Sequence, residues 1–261
     1  MRNTALKVLF FAAAFIGVNM SSNAFAQTPG DQKPVRVVLV HGAWADGSSW
    51  SKVISLLQSK GINAVAVQLP LTTLSGDVAT VKRAIALQDG PVILAGHSYG
   101  GAVITEAGND PKVVGLVYVA AFAPDSGESV GSVSKSYPPA PLGGELRPDA
   151  EGYLSITPKG VAESFAQDLP PKETSVLWAT QGPTNGAVFG ATVGNAAWKT
   201  KPSWYVVADQ DRAIPPALEK AEAARMKATT INLPASHLVM LSHAKEVADL
   251  IEKATASAVK R

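Results

Sequence analysis

From Val35 onward, short apolar runs that read as buried strands alternate with segments of helical period, and this alternation limits the fold more than any other feature. Val35 to Val40 is continuous and rich in β-branched residues, as expected of a parallel strand covered on both faces. Trp50, Val53, Ile54 and Leu57 then recur at helical spacing, with Ser48 or Ser49 as the cap and Gly61 as the stop. Ile62 to Val67 predicts a second strand. Val78, Val81, Ala84 and Ile85 predict a second helix, opened by Ser75 or Asp77 and ended by Gly90-Pro91. A third strand, Val92 to Ala95, runs into a glycine-rich turn and a helix from Gly101 to Gly108, and Val113 to Val119 is the fourth. Strand Trp204 to Ala208, a helix opened by Pro215-Pro216, strand Thr229 to Leu233 and a helix bearing Val247, Ala248 and Ile251 complete the series. The pattern implies an α/β fold of about six mainly parallel strands, with helices on both faces joined by right-handed crossovers.

The alternation breaks between Asp125 and Lys201, where proline, glycine and polar residues are frequent and only Gly160 to Asp168 and Glu173 to Ala179 carry a weak helical pattern. Phe165, Trp178, Phe189 and Trp198 make this stretch too apolar for a disordered linker. A long interruption of a compact domain is usually functional, so residues 125–201 read as a cap inserted between strands.

The first 26 residues read as a cleavable signal peptide. Arg2 and Lys7 form a positive start, an apolar run follows from Val8 to Val18, and Ala24-Phe25-Ala26 supplies the cleavage signal before Gln27. The run is short of the about 20 apolar residues that a membrane helix needs. The expectation is a bacterial protein exported to the periplasm or medium, with no stable membrane anchor after processing, whose residues 27–261 form one domain. Arg2 and Lys7 leave with the leader, so 21 basic residues face 21 acidic ones, and no charge excess points to nucleic acid. The absence of cysteine excludes disulfides, thiolate metal sites and a cysteine nucleophile. The oligomeric state is not readable from the sequence.

Chemistry concentrates in Gly96-His97-Ser98-Tyr99-Gly100-Gly101, a G-x-S-x-G match set between a buried strand and a helix. Such a turn holds the serine hydroxyl out at the sheet edge, flanking glycines avoid collision with neighbouring backbone, and the helix start faces developing negative charge. Ser98 is therefore the candidate nucleophile. A serine needs a base, usually histidine. Of the four histidines, His237 lies in the loop after the last strand, where catalytic groups gather in this topology. His41, His97 and His243 read as structural. The third member is a carboxylate between Ser98 and His237 in the chain. Asp211 is preferred, with Asp209 and Asp125 as alternatives. The turn His41-Gly42-Ala43-Trp44 closes the first strand, and the backbone N–H groups of Ala43 and Tyr99 are the candidate oxyanion hole. Trp44, Tyr99, Phe122 and Trp178 are candidates for lining an apolar pocket, or else plain core.

With these residues placed in order, the chain resembles the α/β-hydrolase superfamily. It resembles most the branch that holds plant methylesterases, hydroxynitrile lyases and bacterial esterase-like proteins. The segments that carry the likeness are Val38-Leu39-Val40-His41-Gly42-Ala43-Trp44, the serine elbow, Leu116-Val117-Tyr118-Val119-Ala120-Ala121-Phe122, Asp209-Gln210-Asp211 and Ser236-His237-Leu238-Val239-Met240-Leu241. The resemblance implies that the second aspartate of the Asp209-Gln210-Asp211 segment is the acid. It also implies a sheet without two leading antiparallel strands. Lyases of this branch usually carry threonine where Gly42 stands and lysine where Leu238 stands, so the expectation is hydrolysis of a small or aromatic ester through an acyl-enzyme on Ser98, His237 and Asp211. No metal or organic cofactor is expected. A lyase-like reaction on the same triad, and a ligand-binding protein on a hydrolase scaffold, are the alternative uses.

Overall fold

The computed structural model describes residues 33–259, and the expected signal peptide of residues 1–26 lies outside them. Strands β1 (Arg36–Val40), β2 (Ala64–Ala66), β3 (Val92–Ser98) and β4 (Val113–Ala121) precede the insertion. Strands β8 (Ser203–Ala208) and β9 (Thr229–Leu233) follow it. These six form one sheet in the order β2-β1-β3-β4-β8-β9, with every neighbouring pair parallel. Central Leu39 pairs with Ala66 on one side and Ala95 on the other. β3 is buried along its whole length, as its unbroken apolar run requires, whereas Thr229, Thr230 and Asn232 leave β9 exposed as an edge.

Helices α1 (Ser51–Ser59), α2 (Leu74–Ala86), α3 (Tyr99–Ala107), α7 (Pro216–Arg225), α8 (Val239–Ser242) and α9 (Ala244–Val259) belong to the α/β frame. Val247, Ala248, Ile251 and Ala254 form the buried face of α9. Among the described residues no helix is long and apolar enough to cross a membrane.

Two helix caps differ from the sequence reading, and α3 starts at Tyr99, two residues before the expected Gly101. The first helical turn is capped by Asp46, whose carboxylate accepts the Ser48 N–H at 2.6 Å, in place of Ser48 or Ser49. Thr73 caps α2 by accepting the Gly76 N–H at 3.1 Å, and Asp77, expected near the cap, turns inward and is fully buried.

The insertion between β4 and β8 is ordered. It holds α4 (Val130–Ser134), an antiparallel sheet of β5 (Leu146–Pro148), β6 (Tyr153–Ile156) and β7 (Thr184–Asn185), then α5 (Pro158–Gly160) running into a π-turn (Val161–Phe165), and α6 (Pro171–Thr180). The two weak helical patterns correspond to α5 with its π-turn and to α6. The small sheet had no sequence signature, because strands of 3, 4 and 2 residues are too short to display a period of two.

Candidate active site

β3 ends on Ser98, whose backbone sits at φ 53 and ψ −126, a region that residues with a side chain rarely enter. The strain is imposed by a strand that must reverse at once into α3. That turn closes only because Gly100 lacks a side chain: a Cβ there would lie 2.6 Å from the His41 carbonyl oxygen. Tyr99, the first residue of α3, has an N–H with no intrahelical acceptor, and it points from the positive end of the helix.

The turn after β1 packs directly against the serine. A Cβ on Gly42 would stand 2.6 Å from Ser98 Cβ and 3.0 Å from His97 Nδ1, so the glycine is needed for close approach to Ser98 and does more than bend the chain. Ala43 follows it, buried. Trp44 adopts φ 56 and is tied to the insertion: its N–H donates to Thr184 Oγ1 at 3.2 Å and its indole N–H to the Leu154 carbonyl at 2.8 Å.

His237 lies in the loop after β9, 1% exposed, with Nδ1 2.5 Å from Asp211 Oδ2. Nδ1–H donates to the carboxylate, which leaves Nε2 as the ring's free base. The other oxygen of Asp211 accepts the N–H groups of Ala213 at 2.6 Å and Ile214 at 2.8 Å. Asp209 and Asp125 do not reach the histidine. They form surface ion pairs with Lys220 at 2.7 Å and Lys199 at 2.5 Å.

The remaining histidines serve the frame. His41 accepts the Leu69 N–H on Nε2 at 2.9 Å and donates from Nδ1 to the Gly42 carbonyl at 2.8 Å, and burial lowers its pKa. His97 donates from Nε2 to the His237 carbonyl at 3.0 Å, its ring 4.6 Å from that of His237. Burial, with the neighbouring His237 ring adding to it, holds His97 well below the ordinary imidazole range, so it is neutral. His243 is partly exposed near Glu246.

Ser98 and His237 both line a cavity of about 250 Å³ walled by Trp44, Phe122, Leu142, Phe189 and Ile214. No Asp, Glu, Lys or Arg lines it among the described residues. A more open cleft of about 610 Å³ beside Thr73, Lys82 and Gly194 includes none of the site residues. Of the aromatics expected at the pocket, Trp44 and Phe122 are there. Tyr99 is fully buried with its hydroxyl on Asp77, and Trp178 is 42% exposed on the surface. Phe189 takes the place expected for Trp178, its ring 5.7 Å from Trp44 and 5.9 Å from Tyr99.

Two residues at the site escaped the sequence reading. Asp168, from the insertion, accepts the Ser236 N–H at 2.9 Å and the Ser236 hydroxyl at 2.5 Å, and so holds the residue before His237. No local signal marks a pairing across such a separation. Asp77 was detectable, since it falls on the same helical face as Leu74, Val78, Val81 and Ile85.

Comparison with known proteins agrees with this geometry. A pyrethroid hydrolase of Sphingobium wenxiniae is 25% identical over 250 residues, covering 82% of this chain and 85% of that protein. Salicylic acid-binding protein 2 of Nicotiana tabacum is 26% identical over 253 residues, covering 82% of this chain and 95% of that protein. A crystal structure of a pyrethroid hydrolase from Sphingobium faniae shares the fold, with a TM-score of 0.75 at 23% identity over 87% of this chain and 100% of that one. The family model described as "Alpha/beta hydrolase family" matches residues 37–250, and with a buried His–Asp pair and a strained serine at one cavity, the chain belongs to that family.

Proposed function

We propose that this protein hydrolyses neutral carboxylic esters with a small or aromatic moiety, through an acyl-enzyme on Ser98. The observation that carries the reading is the buried His237–Asp211 pair, which lines the same uncharged cavity as Ser98. His237 Nε2 removes the Ser98 proton as Oγ attacks the ester carbonyl, and Asp211 stabilises the imidazolium that forms. The N–H groups of Ala43 and Tyr99 receive the oxyanion, each such donor contributing about 3 kcal/mol to the transition state. His237 then protonates the leaving alcohol. Water, activated by the same imidazole, attacks the acyl carbon and releases Ser98. The leader belongs to the same reading, which places the mature enzyme, starting at Gln27, outside the cytoplasm.

The apolar walls and the absence of a lining cation among the described residues support a neutral ester, and the pyrethroid hydrolase likeness agrees with hydrolysis. Leu238 supports hydrolysis over cyanohydrin cleavage, because it is buried outside the cavity wall and offers no charge to cyanide. The test is a panel of nitrophenyl esters of graded acyl length, with mandelonitrile alongside and a serine-directed phosphonate as label. Ester turnover, labelling lost in Ser98→Ala and no cyanide release above buffer are expected. Fast cyanohydrin cleavage without ester turnover would overturn the reading.

A further inference from the structure

Behind the His237–Asp211 pair lies a second carboxyl group that the reaction above does not use. Glu219, in the first turns of α7, is fully buried with its carboxyl beside that of Asp211. Its Oε2 accepts the Ala208 N–H at 2.9 Å, while Oε1 is buried and receives no donor. The titratable groups facing it are Asp211 from the loop after β8, Glu222 from its own helix and Tyr205 from β8, and none is a cation. Tyr205 gives its proton to the Ala121 carbonyl, so it does not serve Glu219.

Two buried carboxyl groups side by side, with no cation facing Glu219 among the described residues, cannot both be ionised. The donors decide which keeps the proton. Asp211 receives the Ala213 and Ile214 N–H groups and the His237 Nδ1–H, three donors in all, whereas Glu219 receives one. We propose that Glu219 is a neutral carboxylic acid that donates its proton in a hydrogen bond to the Asp211 carboxylate, and so acts as a positioning residue for the triad. The inference rests on the assignment of Asp211 as the triad acid. Burial first, and then the Asp211 charge, push the Glu219 carboxyl well above the usual range, in the same direction. Through this bond α7 adds a fourth donor to the three that already hold the Asp211 carboxylate. Asp211 is thus held more tightly in the orientation that presents Oδ2 to His237.

Two full-chain variants test this. Glu219→Gln keeps an acceptor for Ala208 and supplies an amide N–H to Asp211, and Glu219→Leu supplies neither. Infrared difference spectroscopy of wild type against Glu219→Gln at neutral pH, without substrate, is expected to show a protonated carboxylic acid band that the variant lacks. Glu222→Gln identifies any second such band. Glu219→Gln is expected to keep kcat within a few-fold of wild type, and Glu219→Leu to lose about 10²-fold in kcat with KM nearly unchanged, as a misplaced catalytic group does. A Glu219→Gln difference spectrum without the acid band, or a folded Glu219→Leu with wild-type kcat, would overturn the proposal. If Glu219→Leu does not fold, the infrared band and the kcat of Glu219→Gln decide. Wild-type turnover in Asp211→Asn would count against the triad, while the infrared band still reports the Glu219 proton.

Discussion

The Tyr99 hydroxyl donates to Asp77 Oδ2 at 2.8 Å, with both side chains fully buried. The other Asp77 oxygen accepts the Leu71 N–H at 2.9 Å, from a residue held at φ 53. The residue after the nucleophile is therefore pinned at its far end to α2, while its own N–H faces the reacting carbonyl in the proposed mechanism. Tyr99→Phe leaves a buried carboxylate oxygen without its donor, which should destabilise the fold by about 1–3 kcal/mol in urea titration. It should also lower kcat, since the N–H it positions is released from that constraint. Unchanged stability would mean that the bond contributes nothing net.

Asp211→Asn should lower kcat by about ten-thousand-fold while the far-ultraviolet circular dichroism stays that of wild type, because an amide favours the wrong imidazole tautomer. Asp209→Asn and Asp125→Asn should each stay within a few-fold of wild type, since both side chains sit in surface ion pairs, which typically contribute about 1 kcal/mol or less. Steady-state kinetics on the three variants separates the outcomes. Severe loss in either surface variant would move the acid.

Gly42→Ala places a methyl group 2.6 Å from Ser98 Cβ, so either the turn or the elbow must give way. Overpacking of this kind costs about 1–3 kcal/mol. The kinetic loss should exceed the stability loss, because the two segments that move carry the proposed nucleophile and a proposed oxyanion donor. Thermal unfolding with kcat on the same sample checks it. A variant with wild-type values for both would remove Gly42 from the site.

Glu222 is buried on α7 with Arg225 Nη2 3.8 Å from its Oε1, and burial pushes its carboxyl up to about 8, with Glu128 adding to this and the Ala123 backbone and Arg225 opposing it. The folded state thus holds this proton more tightly than the unfolded chain, where the group has its ordinary value of 4.5. Between these two pH values the folded state binds more protons, so stability falls as pH rises, by up to about 1.4 kcal/mol per unit for one full proton. Glu222→Gln cannot ionise and should show a flatter decline in melting temperature across that window. Parallel slopes for the two proteins would contradict the assignment.

The α/β frame was legible because strands covered on both faces leave unbroken apolar runs, and β1 and β9 fall within one residue of their predicted bounds. β3 and β4 run further than the apolar pattern predicts. The ladder continues through Gly96, His97 and Ser98, and then through Ala120 and Ala121, without the β-branched signature, with Ser98 at φ 53 and Ala120 at φ 43 bent out of extended backbone. Motif, chain order and strand ends nominated Ser98, His237 and Asp211, and the fold pairs His237 with Asp211 and puts His237 and Ser98 at one cavity. Asp168 and Glu219 were not legible, since what matters in each is a partner brought near only by folding, and an acidic residue looks solvated until its burial is known.

Trp44 joins the turn beside Ala43 to both β6 and β7 through two hydrogen bonds from one residue. The insertion is thereby tied into the frame of the candidate site and is not a replaceable accessory. Recombination that imports another insertion to change substrate preference would break the contacts to Thr184 and Leu154 and release the tryptophan from its left-handed backbone. The wall of the cavity and the geometry of the oxyanion turn would then change together, so diversification on this scaffold should proceed by point substitution at the wall, at residues such as Leu142 and Phe189, sooner than by exchange of whole segments.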